Sequence, residues 1–226
     1  MASLDAIVFD LDDTLHAERR FVLSGLSHVA RLVEEECGIA ASRAFAAASL
    51  AFRRGPRRDV LQAMCRSCGI GTDRVPAWVD AIRAHEPSLR LSHAASDVFQ
   101  TLRADGRRLA VLTNGIVDVQ RRKVAALGLA PLVDAVVYAD AIAPGGKPDR
   151  RCFDAVVDAL GGVAGPPVMV GNAVVEDVQG AGEAGWRTVL VSRTSDVFTD
   201  ADVVVGHLGD VPAAVRRLER RFARAC

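Results

Sequence analysis

Residues 5–15 read DAIVFDLDDTL: an apolar run, Ala6–Phe9, delivers three aspartates, Asp10, Asp12 and Asp13, at its end. Four apolar residues bounded by polar chain are the pattern of a strand buried on both faces. Carboxylates crowded at its tip repel one another. Whatever part of that cost solvent does not relieve must be offset by a cation, a proton or a lysine. If residues 10–12 continue extended, Asp10 and Asp12 point the same way and Asp13 the other.

Outward from this strand the chain has two textures. From Ala17 to about Pro87 no strand pattern occurs, and FVLSGLSHVARLVEEECG, ASRAFAAASLAFRRG and PAWVDAIRAHEP carry apolar residues at helical spacing. From about Leu91 helix and strand alternate: AASDVFQTLRADG then RLAVLTNG, VQRRKVAALGL then VDAVVYAD, RRCFDAVVDALGG then PPVMVGN, VVEDVQGAGEAG then WRTVLVS, and ADVVVG before a basic terminal helix. Short β-branched strands separated by helices predict an α/β fold with a doubly wound parallel sheet. The first strand belongs with this second half. The expected organisation is a Rossmann-like core of residues 1–16 and 91–226, interrupted by an all-helical domain over 17–90.

Composition narrows the partners. The 226 residues hold 28 Lys and Arg against 28 Asp and Glu, so no global field recruits a nucleic acid polymer or an anionic membrane, and a small molecule is the expected partner. AFAAASLAF at 44–52 is far shorter than the roughly 20 apolar residues of a membrane span. Asp5 and the acidic cluster interrupt the N-terminal segment where a signal peptide would need continuous apolar residues, so a cytoplasmic location is expected. The five cysteines, Cys37, Cys65, Cys68, Cys152 and Cys226, are odd in number and scattered, and they read as buried thiols. The Cys65/Cys68 pair sits in a helical pattern, with no second pair at zinc spacing. RRGPRR at 53–58 reads as a solvated basic turn.

In open α/β sheets ligands bind beyond the carboxyl ends of the strands. Those ends carry Asp10, Leu11 and Asp12; Thr113, Asn114 and Gly115; Gly171 and Asn172, with Asp177 on the turn beyond; and Lys147 stands ahead of Pro148. One carboxylate can attack as a nucleophile, splitting a hard hydrolysis into two easier steps. Another, two residues on, can give a proton to the leaving oxygen and later take one from water. Magnesium bridging Asp10, a backbone carbonyl and Asp177 would neutralise these carboxylates and an incoming phosphate. Lys147 would add a fixed positive charge, and Thr113 with the adjacent backbone at Asn114 and Gly115 would bind phosphate oxygens. Asp13 and Thr14 read as turn residues, Asn114 equally as a turn residue or a substrate contact, and His16 as a linker residue with an exposed ring.

Four motifs in order, DLDDT at Asp10–Thr14, LTNG at Leu112–Gly115, GGKPDRRCF at Gly145–Phe153 and VGNAVVEDVQGAGEAGW at Val170–Trp186, resemble those of the haloacid dehalogenase superfamily of hydrolases, mostly phosphatases. The resemblance implies Asp10 as nucleophile, Asp12 as general acid and base, Thr113 as phosphate ligand and Lys147 as charge stabiliser. It implies Mg2+ held by Asp10, Asp12, Asn172 and Asp177, and a type 1 cap formed by the helical insertion. Asp12, two residues after Asp10, matches the phosphatase branch and is lacking in the dehalogenase branch. One departure stands out: the fourth motif usually reads Gly-Asp-Ser, and here reads Gly171-Asn172-Ala173. An uncharged amide there predicts weaker cation binding, with Glu176 a substitute acid at one residue shorter spacing. The expected function is a magnesium-dependent phosphomonoester hydrolase acting on a small soluble phosphorylated metabolite. A 2-haloacid dehalogenase, a phosphomutase and a catalytically weakened binding protein stay open.

Overall fold

The computed structural model describes residues 4–194 and 198–225, with side chains through residue 221. The chain divides into two compact units, Met1–Ala17 with Arg90–Cys226, and Glu18–Leu89.

The Glu18–Leu89 unit is helical among its described residues: α1 (Glu18–Cys37), α2 (Ala41–Arg54), α3 (Val60–Cys68) and α4 (Val75–Ala84). Apolar residues at three- and four-residue spacing turn Leu26, Val29 and Val33 of α1 onto Met64 of α3 and Trp78 of α4. The Trp78 indole, too large to bury without a partner, donates to Glu36 at 3.1 Å. Cys65 and Cys68 lie in this core. Burial pushes the Cys65 thiol up, away from the reactive thiolate.

The other unit is built on six parallel strands, β1 (Ala6–Phe9), β2 (Arg108–Thr113), β3 (Ala135–Tyr138), β4 (Val168–Gly171), β5 (Arg187–Val191) and β6 (Val203–Val205), in the order β3-β2-β1-β4-β5-β6. Both faces of β1 are covered, which is why its sequence does not alternate. Phe9 meets Phe99 of α5 (His93–Ala104) edge-on at 5.2 Å. Val8, Ala110, Leu112 and Met169 face the opposite layer, where Phe153 of α7 (Arg150–Ala159) packs on Trp186 at 5.2 Å. Phe9 is in register with both Val111 and Val170, so β1, β2 and β4 deliver their following residues at one level. The chain builds β2 and β3 on one side of β1 and β4 to β6 on the other, placing the topological switch at the end of β1.

Two local features shape the strand ends. After Leu11 the chain turns back on itself: Leu15 and His16 donate to Leu11 O, Asp13 donates to His16 O, and Asp13 takes the left-handed conformation (φ 57°), which Asp tolerates better than most residues. The segment after β4 is not a regular helix: Val174–Gln179 is a π-helix, running into the short α8 (Gly180–Glu183). Asp177 N and Val178 N both donate to Ala173 O, widening the turn.

Candidate active site

Asp10 follows β1 directly, its backbone N–H still paired to Val170 O at 2.9 Å. Its Oδ1 accepts from Lys147 Nζ at 2.8 Å; the same ammonium donates to Asp177 Oδ1 at 2.7 Å and to Leu112 O at 3.1 Å. All three ammonium donors are thus used, and all three side chains are buried. Burial, opposed by Lys147 and reinforced by the Asp177 charge, pushes Asp10 up to about 6. Burial also works against the Lys147 charge, but the two carboxylates outweigh it and raise its pKa.

The backbone makes room for this ion triad at two glycines. A Cβ on Gly171 would lie 2.1 Å from Asp177 Oδ2, so only glycine at the end of β4 lets that carboxylate tuck beneath the strand. The same Oδ2 accepts from Ala173 N at 2.9 Å. Gly146, at φ +65°, lets the loop pass Asn114, whose Oδ1 a Cβ would meet at 2.5 Å. The Asn114 amide clasps Lys147 by its backbone, accepting from its N–H at 2.8 Å and donating to its carbonyl at 3.0 Å. Asn114 therefore braces the backbone of the lysine.

Asp12 lies apart from the triad. Lys123 Nζ contacts both of its oxygens, at 2.8 and 2.7 Å, Gln120 Nε2 donates to Oδ2 at 2.9 Å, and His16 Nε2 stands 2.9 Å from Oδ1. Burial pushes the Asp12 carboxyl up, but His16, Lys123 and Gln120 together outweigh it and hold the group well below the usual carboxylate range. His16 is thus buried, contrary to the exposed ring expected, because the turn after Leu11 folds it back onto Asp12. Thr113 Oγ1 accepts from Gln120 at 2.9 Å, and Gly115 N–H donates to Asp140 at 2.7 Å. The exposed Asn172 accepts from Thr14 Oγ1 at 3.1 Å; Thr14 reaches another side chain rather than the backbone.

Gln120 and Lys123, on α6 (Val117–Ala126), were not singled out from sequence. In VQRRKVAALGL they sit among charged residues and read as a solvent face, yet both are buried. A lysine three residues from a glutamine, following a strand-end threonine, is the only trace they leave. A cavity of about 390 Å³ within the helical unit, lined by Arg20, Ser24, Arg31 and His85 among others, contains none of these groups.

Among the described residues, the three carboxylates Asp10, Asp12 and Asp177 meet two lysines, Lys123 and Lys147, besides His16 at Asp12. Among the described residues no three or more His, Cys, Asp or Glu side chains are grouped as a metal centre. Magnesium commonly takes one or two protein carboxylates and completes its shell with water and substrate phosphate. Asp10 and Asp177, oxygen donors with surplus negative charge, fit that requirement.

A family model for haloacid dehalogenase-like hydrolase matches residues 4–185. The chain is 38% identical over 122 residues to a phosphoglycolate phosphatase of Caulobacter vibrioides, covering 52% of this chain and 51% of that one. It is 32% identical over 167 residues to a phosphoserine phosphatase of Thermus thermophilus, covering 72% and 67%. The match to the first of these thus spans about half of that relative's length. In fold the chain is similar to a HAD phosphatase from Thermococcus onnurineus (TM-score 0.61, 24% identity, 93% and 97% covered) and to an L-2-haloacid dehalogenase from Xanthobacter autotrophicus (TM-score 0.62, 21% identity, 95% and 99% covered). The chain belongs to the haloacid dehalogenase-like hydrolases.

Proposed function

We propose that this hydrolase is a phosphatase cleaving small phosphomonoesters through an aspartyl-phosphate on Asp10, with Glu18–Leu89 as its cap domain. The observation that carries the reading is a pair of carboxylates two residues apart, each set on its own buried lysine: Asp10 on Lys147, and Asp12 on Lys123 with His16 beside it. This arrangement supports Asp10 as nucleophile and Asp12 as general acid and base. An Asp10 oxygen attacks phosphorus, the ester P–O bond breaks, and Asp12, having first taken up a proton from the monoanionic ester or from solvent, passes it to the leaving alkoxide. Asp12 then takes a proton from water, whose oxygen attacks the phosphoaspartate, breaking its P–O bond and freeing inorganic phosphate and the Asp10 carboxylate. A dianionic phosphate beside Asp12 raises its affinity for the proton it must deliver, and a monoanionic ester carries one with it. Lys147 offsets charge on Asp10 throughout. Magnesium held by Asp10 and Asp177, with the Asn172 amide at its margin, would supply further neutralisation of the phosphate. Relatives named for phosphoglycolate and phosphoserine support a small phosphorylated metabolite as substrate.

Asn172 favours a second reading, halide displacement from a 2-haloacid by the same nucleophile without metal. A metabolite phosphate panel and chloroacetate, each with and without magnesium and with product analysis, separates these readings. Phosphate release that Asp10→Asn lowers by about 1000-fold, without lowering the melting temperature, is expected. Chloride release alone, or Asp10→Asn activity within about tenfold of the parent, overturns the assignment.

A further inference from the structure

We infer that Lys123 and Gln120 are positioning residues for Asp12, a grip by which one helix sets the acid-base carboxylate; the inference rests on the phosphatase reading. Both lie on one face of α6, three residues apart, with 4% and 2% of their surface exposed. A lysine is rarely this buried unless it is paired, and Lys123 spans both oxygens of Asp12. One amide nitrogen of Gln120 bonds Asp12 Oδ2 and Thr113 Oγ1, each at 2.9 Å, and also reaches Asn114 O. The three acceptors surrounding Nε2 fix the orientation of the amide. Gln120 therefore ties Asp12, in the turn beyond β1, to Thr113, the last residue of β2.

The two lysines divide the carboxylates between them. Lys147 serves Asp10 and Asp177, and Lys123 serves Asp12. Without Lys123, Asp12 keeps Gln120 and His16 but loses the contact that spans both of its oxygens, and a catalytic group displaced by about 1 Å loses on the order of 100-fold in rate. A lysine that only supported α6 would affect folding, not the dependence of rate on the leaving group.

The test compares the full chain with Lys123→Met and Gln120→Met, using an aryl and an alkyl phosphate. The readout is kcat/KM, which reports formation of the phosphoaspartate, where an alkoxide needs a proton and a nitrophenolate does not. Lys123→Met is expected to lose about 100-fold on the alkyl ester and less than about threefold on the aryl ester. Gln120→Met, which leaves the buried charge pair intact, is expected to lose about tenfold on the alkyl ester with the same selectivity, and serves if Lys123→Met fails to fold. Equal losses on both esters, or none, in a parent that turns over overturn the inference alone. A parent inactive on every phosphate overturns the phosphatase reading, and this inference with it.

Discussion

Lys147→Met removes the one cation between Asp10 and Asp177 while keeping an unbranched side chain of similar length. Breaking a buried ion pair by deleting one partner costs about 3–5 kcal/mol. Proton uptake limits the Asp10 share: with that carboxyl already at about 6, neutralising it near pH 7.5 costs roughly 2 kcal/mol. Asp177 then carries most of the rest, its Oδ2 still held by Ala173 N. For a chain of 226 residues, about 4 kcal/mol corresponds to a melting temperature lower by about 10 °C. The pH dependence has a definite sign. A carboxyl raised in the folded state contributes stability below its unfolded pKa and loses it as pH rises through the folded one. Removing Lys147 raises Asp10 further, so the variant protonates first on acidification and its deficit narrows as pH falls from about 7.5 toward 6. Thermal melts in chelator at several pH values measure both effects, and adding Asp10→Asn to the variant should recover part of the loss. A melting temperature within about 2 °C of the parent, or a deficit that widens on acidification, would show that Lys147 does not neutralise the two carboxylates.

Asn172→Asp adds a charge beside the proposed cation site, and apparent magnesium affinity should rise roughly tenfold while the metal-free protein melts lower; identical magnesium-dependent melts for parent and variant would place residue 172 away from the cation. Gly171→Ala drives a Cβ to 2.1 Å from Asp177 Oδ2, so it should evict that carboxylate at a cost of about 2–4 kcal/mol, read by denaturant titration. A change within about 0.5 kcal/mol would mean that the strand end yields instead.

How far the sequence could be read depended on how far each feature is local. The strands were legible because burial on both faces leaves continuous apolar runs, and the polar residues at their ends stood out against them. Asp10, Lys147 and Asp177 come together because parallel strands in register end at one level, a consequence of topology that the alternation of helix and strand implies. The burial of His16 against Asp12 was not legible, since it follows from backbone hydrogen bonds in the turn after Leu11 rather than from strand alternation. Lys123 and Gln120 were hidden for a different reason: a buried lysine looks like a surface lysine until the carboxylate it meets, 111 residues away in the chain, is known.

The π-turn after β4 gives this edge of the site a tolerance to changes in chain length. Regular α-helix would swing every following side chain by about 100° for each residue gained or lost. A widened turn can absorb a deletion by tightening to α spacing, and β4 and β5 need not shift. Two acids stand side by side there, Glu176 half-buried and Asp177 buried. An inserted residue just after Ala173 would bring Glu176 to the place under Gly171 that Asp177 now fills. Single-codon insertions and deletions, usually ruinous beside a catalytic centre, thus become a route by which the reach of the acidic side chain can be varied without redesigning the sheet.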